Sequence, residues 1–360
     1  MKKLILLFLS VYISLPLFSQ SNGAAIPDLK GYVTLKCDFH IHTVFSDGLV
    51  SPALRVHEAI REGLDAIAIT DHIEYRPNKA DIVASHNRSY EIAKDAAKNK
   101  DLIIVKGSEI TRSMPPGHHN AIFLSNSDEL EKPDYMDVFR EARAQNAFLF
   151  WNHPGWAAQQ PDTTVWFDEH TLLLQQGLMQ GIEVVNGDEY YPEVHRWCLE
   201  KKLTMLGNTD VHMPMPNFAK GEHRTMTLVF ARSKTPEAIH EALKERRTAV
   251  YFNDYVIGEE VFLKELFENA VEISVKKDDK TARITFKNNS DLTFHLRKSK
   301  HDPRLTYFRN DILDPYTIKP QSTQTITVRL NDGIKEGDVN VVVENFLVEP
   351  CKGMRYSIKL

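Results

Sequence analysis

The stretch Asp38-Phe39-His40-Ile41-His42-Thr43, followed by Ser46-Asp47-Gly48, carries residue types that can do chemistry. Side chains on an extended segment repeat every second residue, so the imidazoles of His40 and His42 point to one side and can grip one metal ion. Taken alone, a His-x-His pair also describes two surface histidines. What gives it weight is recurrence at the ends of apolar runs. Ala66-Ile67-Ala68-Ile69 leads to Thr70-Asp71-His72, and Leu102-Ile103-Ile104-Val105 to Lys106-Gly107-Ser108-Glu109. Ala147-Phe148-Leu149-Phe150-Trp151 leads to Asn152-His153-Pro154, and Leu203-Thr204-Met205-Leu206 to Gly207-Asn208-Thr209-Asp210-Val211-His212. Gly181-Ile182-Glu183-Val184-Val185 ends in Asn186. A set of strand-end imidazoles and carboxylates has no common packing explanation, because buried charge is costly unless it is paired or bound to metal.

The elements that must position these groups are short buried strands alternating with helices. Ser51-Pro52 opens a helix that Gly63 closes, and Thr235-Pro236 opens another over Glu237–Arg247. Alternation of this kind predicts an α/β fold with a parallel sheet. A closed or nearly closed barrel of βα units gathers its site at the C-terminal strand ends. His57, His86, His170, His195 and His240 lie on helix-like segments and read as ordinary surface or packing histidines.

The ordered set of motifs resembles the PHP (polymerase and histidinol phosphatase) domain family over roughly residues 33–255. Pro116-Gly117-His118-His119-Asn120-Ala121-Ile122-Phe123-Leu124 and Glu74-Tyr75-Arg76-Pro77 are similar to an exported branch of Sb-PDE-type phosphodiesterases. The resemblance implies a distorted (β/α)7 TIM-like barrel, the PHP fold, holding up to three metals. By motif, His40, His42, Glu109 and Asp210 would hold one ion. Glu109 would bridge to a second, held also by His153 and the histidine of the Gly-His segment. Asp47, His72 and His212 would hold a third. Related sequences pattern as Gly-His-x-Asn, which favours His118 over His119.

Imidazole and carboxylate ligands suit zinc, manganese or iron, so the expected cofactors are two or three divalent ions of these kinds. Without a Cys-x-x-Cys pair, a structural thiolate zinc site is not expected. Such a cluster can turn water into hydroxide at neutral pH and neutralise developing charge on a phosphoryl group. Neither a Gly-x-Ser-x-Gly elbow nor a Walker A loop points to another route. The leading expectation is a metal-dependent phosphoester hydrolase, a phosphodiesterase or phosphatase, acting on a small molecule through a di- or trinuclear metal-bound hydroxide. Arg76, Arg112 and Arg224 are candidate phosphate contacts, since a guanidinium presents a bidentate fork; each also reads as a solvated surface arginine. Asp71 could orient its neighbour His72 or shuttle a proton, and Tyr190 and Tyr191 could line the pocket or simply pack. A carboxyl ester or carbamate hydrolase on the same site is the alternative. A non-catalytic metal- or glycan-binding module is the alternative of another class, and the intact ligand set, Asp210 included, argues against it.

Lys2-Lys3 followed by apolar Leu4–Phe18 predicts a signal peptide over residues 1–19, hence an exported protein, periplasmic or secreted, without stable membrane insertion. The 360 residues carry a formal charge of −5 and no basic face, which argues against nucleic-acid binding. Three cysteines, Cys37, Cys198 and Cys351, leave at least one unpaired, and no essential disulfide is expected. A linker over 20–32 and a metallohydrolase barrel over 33–267 precede a change of character at about residue 268. There Val271, Ile273 and Val275 alternate with polar residues, as do Ala282, Ile284 and Phe286, and Ile326, Val328 and Leu330. Turn signals at Asp278-Asp279, Asn288-Asn289-Ser290 and Asn331-Asp332-Gly333 separate them. This predicts a small sandwich-like β domain over 268–360.

Overall fold

The computed structural model describes residues 24–219, 221–299, 305–307, 316–330 and 337–360. The expected signal peptide, the start of the linker and the Asn331-Asp332-Gly333 turn lie outside them. In chain order the first unit runs β1 (Val33–Asp38), α1 (Pro52–Arg61), β2 (Ala66–Ile69), α2 (Arg88–Ala96), β3 (Ile103–Ile110), β4 (His119–Ile122), α3 (Tyr135–Ala144) and β5 (Phe148–Trp151). It continues through α4 (Asp168–Gln175), β6 (Gly181–Asn186), β7 (Glu189–Tyr190), α5 (Pro192–Lys201), β8 (Thr204–Asn208), β9 (Met226–Ala231), α6 (Pro236–Lys244), β10 (Thr248–Phe252), β11 (Tyr255–Gly258) and α7 (Glu260–Ala270).

Local signals set the helix starts. Ser51 accepts a hydrogen bond from the Leu54 N–H at 3.3 Å with Pro52 at the first helical position, and Thr235 caps α6 through the Ala238 N–H at 3.2 Å. The sheet is mixed rather than purely parallel. β1, β2 and β3 run parallel, as do β5, β6 and β8, but β4 is antiparallel to both of its neighbours. No crossover helix separates β3 from β4, and a short connection can only return the chain antiparallel. On the other side β9 pairs antiparallel with β1, β10 with β9, and β11 with β10.

β8 meets β9 and β10 through side chains. Thr227 Oγ1 accepts from the Gly207 N–H at 3.0 Å and donates to the Gly207 carbonyl at 2.9 Å, while Thr248 Oγ1 donates to the Met205 carbonyl at 2.8 Å. Gly207 permits this approach, because a Cβ there would fall 2.2 Å from a Val250 methyl. An apolar cluster including Phe39, Ala68, Phe148, Phe150 and Leu206 underlies the strand ends.

The C-terminal strands are β12 (Val271–Lys277), β13 (Thr281–Asn288), β14 (Phe294–Lys298), β15 (Leu305–Tyr307), β16 (Tyr316–Ile318), β17 (Ser322–Leu330), β18 (Asp338–Glu349) and β19 (Lys352–Lys359). β12, β13, β17 and β15 form one antiparallel sheet, in which Ala282, Ile284 and Phe286 are buried on alternate positions of β13. β16, β14, β18 and β19 belong to the other sheet. That second sheet is continuous with the α/β unit, since β18 pairs in parallel with β11 at Val256–Phe346 and Ile257–Leu347. Cys37 and Cys198 are buried free thiols and Cys351 is exposed and unpaired.

Candidate metal centre

Each candidate ligand leaves the sheet at a strand end. His40 and His42 lie just beyond β1, where Ile41 bridges to Val211. Asp47 is brought back over them by a turn that needs Gly48, because a Cβ there would stand 2.7 Å from the His42 carbonyl carbon. His72 follows β2 and bridges to Glu109 on β3. His118 precedes β4, His153 follows β5, and Asp210 and His212 follow β8. His153 and Asp210 hold φ values of 29° and 53°, left-handed conformations of the kind that persist where surrounding structure imposes them. Arg55 of α1 ties two ligand-bearing segments together, donating to the carbonyls of His42, Val211 and Met213 at 2.8–2.9 Å.

These nine side chains form overlapping groups whose ligand atoms lie within 4.8 Å of one another. Asp210 Oδ1 is 3.1 Å from His40 Nε2 and 3.0 Å from His42 Nε2, and the two nitrogens are 3.1 Å apart. Glu109 faces two ways: Oε1 is 2.9 Å from His118 Nδ1 and 3.5 Å from His153 Nε2, and Oε2 is 3.3 Å from His42 Nε2 and 2.8 Å from His72 Nδ1. Asp47 Oδ1 lies 3.2 Å from His212 Nε2 and 3.4 Å from His72 Nε2. Among the described residues, no lysine or arginine pairs with Asp47, Glu109 or Asp210.

Burial opposes a charged imidazole at His40, yet the Asp210, Glu183 and Glu109 carboxylates hold its pKa well above the usual value. At His72 burial is again overcome, by Glu109 and Asp47, and the pKa is pushed up to about 10. Burial takes His42 down to about 4. Burial would also raise the Glu109 and Asp210 carboxyls, but the imidazoles around them hold both below the carboxylate range. Left to themselves, these carboxylates draw protons onto imidazole nitrogens.

The donor set fits divalent metal. Asp47 Oδ1, Glu109 Oε2 and Asp210 Oδ1 are buried with no hydrogen-bond donor, although imidazole nitrogens stand close by. His40 Nδ1 is engaged by Glu183 Oε1 at 2.9 Å, so in the neutral ring its Nε2 carries a lone pair, directed at the Nε2 of His42. Two lone pairs and a carboxylate oxygen converging at about 3 Å are satisfied by a cation.

Sequence reading missed the groups that orient this set. Glu183 accepts from Asn208 Nδ2 at 2.9 Å, from the His153 N–H at 2.7 Å and from Asn186 Nδ2 at 2.8 Å, in addition to holding His40. Asn152 donates to Glu109 Oε1 at 3.0 Å and to Asn120 Oδ1 at 2.9 Å. The available signal was a carboxylate inside an otherwise apolar strand. Asp71 accepts from the Thr43 N–H at 2.8 Å, from Thr43 Oγ1 at 2.7 Å and from Ser46 Oγ at 2.7 Å. It therefore fixes the loop leading to Asp47 and does not line the pocket. His118 faces the cluster, whereas His119 packs against Phe139 and Trp151. Tyr191 lines the pocket, and Tyr190 bonds His195 Nδ1 through its hydroxyl at 2.9 Å.

The arginines expected to contact phosphate lie elsewhere. Arg224 is buried and committed to Asp38 at 3.1 Å and Glu62 at 2.6 Å. Arg112 pairs with Glu74 at 2.8 Å and donates to the Pro133 and Lys132 carbonyls. With Arg76 it lines a neighbouring groove, not the metal pocket. Local sequence cannot distinguish a guanidinium held by distant carboxylates from one free to meet a ligand. The metal pocket itself encloses about 430 Å³, lined beyond its ligands by Tyr75, Thr111, Trp156, Asn186, Glu189 and Tyr191.

A mixed α/β sheet with a buried His/Asp/Glu cluster at its strand ends fits a metal-dependent hydrolase. A PHP domain family model matches residues 38–143, and an Ig-like domain model (DUF5001) matches residues 269–359. A crystal structure of a two-domain protein from Bacteroides vulgatus, containing a predicted PHP-like metal-dependent phosphoesterase, is 52% identical. It superposes with a TM-score of 0.91, covering 95% of this chain and 99% of that one. The uncharacterized protein MJ1295 of Methanocaldococcus jannaschii is 29% identical over 192 residues, 50% of this chain and 83% of its own. The chain belongs to the PHP family and carries a C-terminal Ig-like domain.

Proposed function

We propose that this protein is a metal-dependent phosphoesterase that hydrolyses small phosphodiesters in preference to monoesters. One observation carries the reading: three buried carboxylate oxygens, on Asp47, Glu109 and Asp210, lack hydrogen-bond donors and stand among clustered imidazole nitrogens. His40, His42 and Asp210 would hold one ion and Asp47, His72 and His212 another; Glu109, whose Oε1 stands 2.9 Å from His118 and 3.5 Å from His153, would hold a further one with those two imidazoles. When bound, such ions supply Lewis acidity toward a phosphoryl oxygen and lower the pKa of water toward 7, the source of an attacking hydroxide. Zinc, manganese and iron all suit these ligands.

The chain's own residues do the positioning. Glu183 fixes the tautomer of His40 and anchors the His153 backbone, and Asn152 orients Glu109. Asp71, through Thr43 and Ser46, holds the turn that delivers Asp47. Water is the nucleophile in this reading: among the described residues neither serine nor cysteine lines the pocket, and the hydroxyl of Thr111, which does, is held by His72 Nδ1 at 2.6 Å. We read the threonine seam between β8 and β9 as the closure of the distorted seven-stranded barrel that brings both ends of the cluster together. The Lys2-Lys3 and Leu4–Phe18 pattern supports an exported protein.

Preference for diesters follows from charge. Among the described residues neither lysine nor arginine lines the pocket, so the second charge of a dianionic monoester would have only the bound ions to meet, whereas a diester brings one negative charge. The same absence favours a second reading, hydrolysis of a carboxyl ester or carbamate. Both are tested by metal analysis of the mature protein together with turnover of bis-p-nitrophenyl phosphate, p-nitrophenyl phosphate and p-nitrophenyl acetate. Two or three bound transition metals with diester turnover dominant is the expected result. Acetate turnover without phosphate turnover replaces the first reading by the second, and protein that binds no metal sinks both.

A further inference from the structure

Three large aromatic side chains stand well exposed: Tyr75 at 52%, Trp156 at 43% and Tyr255 at 44%. Two of the three, Tyr75 and Trp156, line the metal pocket. Each stands three residues after a candidate ligand, Tyr75 after His72 and Trp156 after His153, and each meets its imidazole edge-on. The ring centroids lie 5.7 Å apart for Tyr75 and His72 and 5.2 Å for Trp156 and His153; Trp156 also lies 5.7 Å from His118. The Trp156 backbone N–H donates to the His153 carbonyl at 3.0 Å, so the indole rides on the same turn as the ligand.

A scattered exposed aromatic needs no explanation. Two held against ligands of one pocket do, because large apolar surface is left facing water where a substrate must sit. Aromatic faces and edges attract flat π systems more than they attract alkyl chains. Tyr191 adds to the apolar wall, and its hydroxyl is already committed to Glu189 at 2.8 Å.

We propose that Tyr75 and Trp156 form a platform for a flat π-faced substituent, so that this site takes phosphodiesters carrying an aryl group or a nucleobase rather than simple alkyl phosphates. The assignment rests on the phosphoester reading above and names the substrate class within it. The test uses metal-loaded full-length protein and three diesters that share p-nitrophenolate as leaving group: methyl p-nitrophenyl phosphate, phenyl p-nitrophenyl phosphate and thymidine 5′-(p-nitrophenyl phosphate). Wild-type kcat/KM for the phenyl or thymidine ester should exceed that for the methyl ester by about 5-fold or more, mainly through KM. In Tyr75→Ala and Trp156→Ala that ratio should fall toward one. A calorimetric comparison of phenylphosphonate with methylphosphonate, neither of which turns over, should show the same preference and the same loss. A thymidine ester above the phenyl ester assigns a nucleobase, and the reverse an aryl group. Equal affinities for the two phosphonates overturn the platform alone, whatever the esters do, because every ester carries a p-nitrophenyl ring that can itself occupy it. Turnover of none overturns the phosphoester reading and this assignment with it.

Discussion

Two clusters of charge are buried at the end of β1 and are neutralised in different ways. Asp38, at the end of β1, is met by Arg224 Nη1 at 3.1 Å and by Thr209 Oγ1 at 2.6 Å, and Arg224 Nε also binds Glu62 at 2.6 Å. That cluster is closed by its own cation. Two residues later His40 begins a second cluster, in which no described lysine or arginine meets the carboxylates and three carboxylate oxygens lack donors. Buried charge alone therefore does not mark a functional site here. What separates the two is whether the protein supplies the counter-ion, and at the strand ends no described lysine or arginine does.

The largest expected effect comes from removing the carboxylate shared between ligand groups. Glu109→Gln keeps shape and takes away the charge, and should lower kcat on a diester by roughly 10³-fold or more, with loss of bound metal by mass spectrometry. Full metal content and near-normal turnover would put Glu109 outside the centre. The closed cluster should respond in stability instead. Arg224→Met leaves Asp38 and Glu62 buried without their cation and should cost about 3–5 kcal/mol in denaturant unfolding. Folded protein of that variant should still bind metal. A stability loss below about 1 kcal/mol would show that water reaches the pair and that the contrast is weaker than the geometry implies.

The same contrast explains what could be read beforehand. Each ligand sits in a short motif at a strand end, as in Thr70-Asp71-His72 or Asn152-His153, so local pattern and strand period locate it. The C-terminal alternation at Ala282, Ile284 and Phe286 was legible for the same reason, being written within a single strand. Arg224 was misjudged because its partners are 186 and 162 residues away, and only the antiparallel pairing of β9 with β1 brings it to Asp38. Glu183 was passed over because a lone carboxylate in Gly181–Asn186 has no local motif; its meaning lies in His40, 143 residues earlier. The reversal of β4 escaped because alternation of strands and helices does not give strand direction where a connection is short.

Glu183 sharpens the comparison from the other side, since it is a buried carboxylate with every contact satisfied, yet it serves the metal cluster. Glu183→Gln preserves an acceptor for His40 Nδ1 but removes the charge that makes the ring a better ligand. Metal affinity should fall about 10–100-fold in a competition titration with a chromophoric chelator, and excess metal should restore most turnover. Loss that excess metal cannot restore would instead give Glu183 a part in the chemical step.

The smallest effect is expected at Arg112. Its guanidinium holds the Pro133 and Lys132 carbonyls and Glu74, so its work is to anchor the segment before α3 to the chain after His72. Arg112→Ala should cost about 1 kcal/mol of stability, the net worth of a few partly exposed hydrogen bonds, and should change KM for a diester by less than about 3-fold. Glu74 donates nothing to the ligand set, but it receives the Thr111 N–H at 2.7 Å, and Thr111 Oγ1 lies 2.6 Å from His72 Nδ1. Some slackening of His72 is therefore the route by which even this variant touches the centre. A KM rise of 10-fold or more with unchanged metal content would overturn this reading, because it would mean that the groove of Arg76 and Arg112 receives part of the substrate.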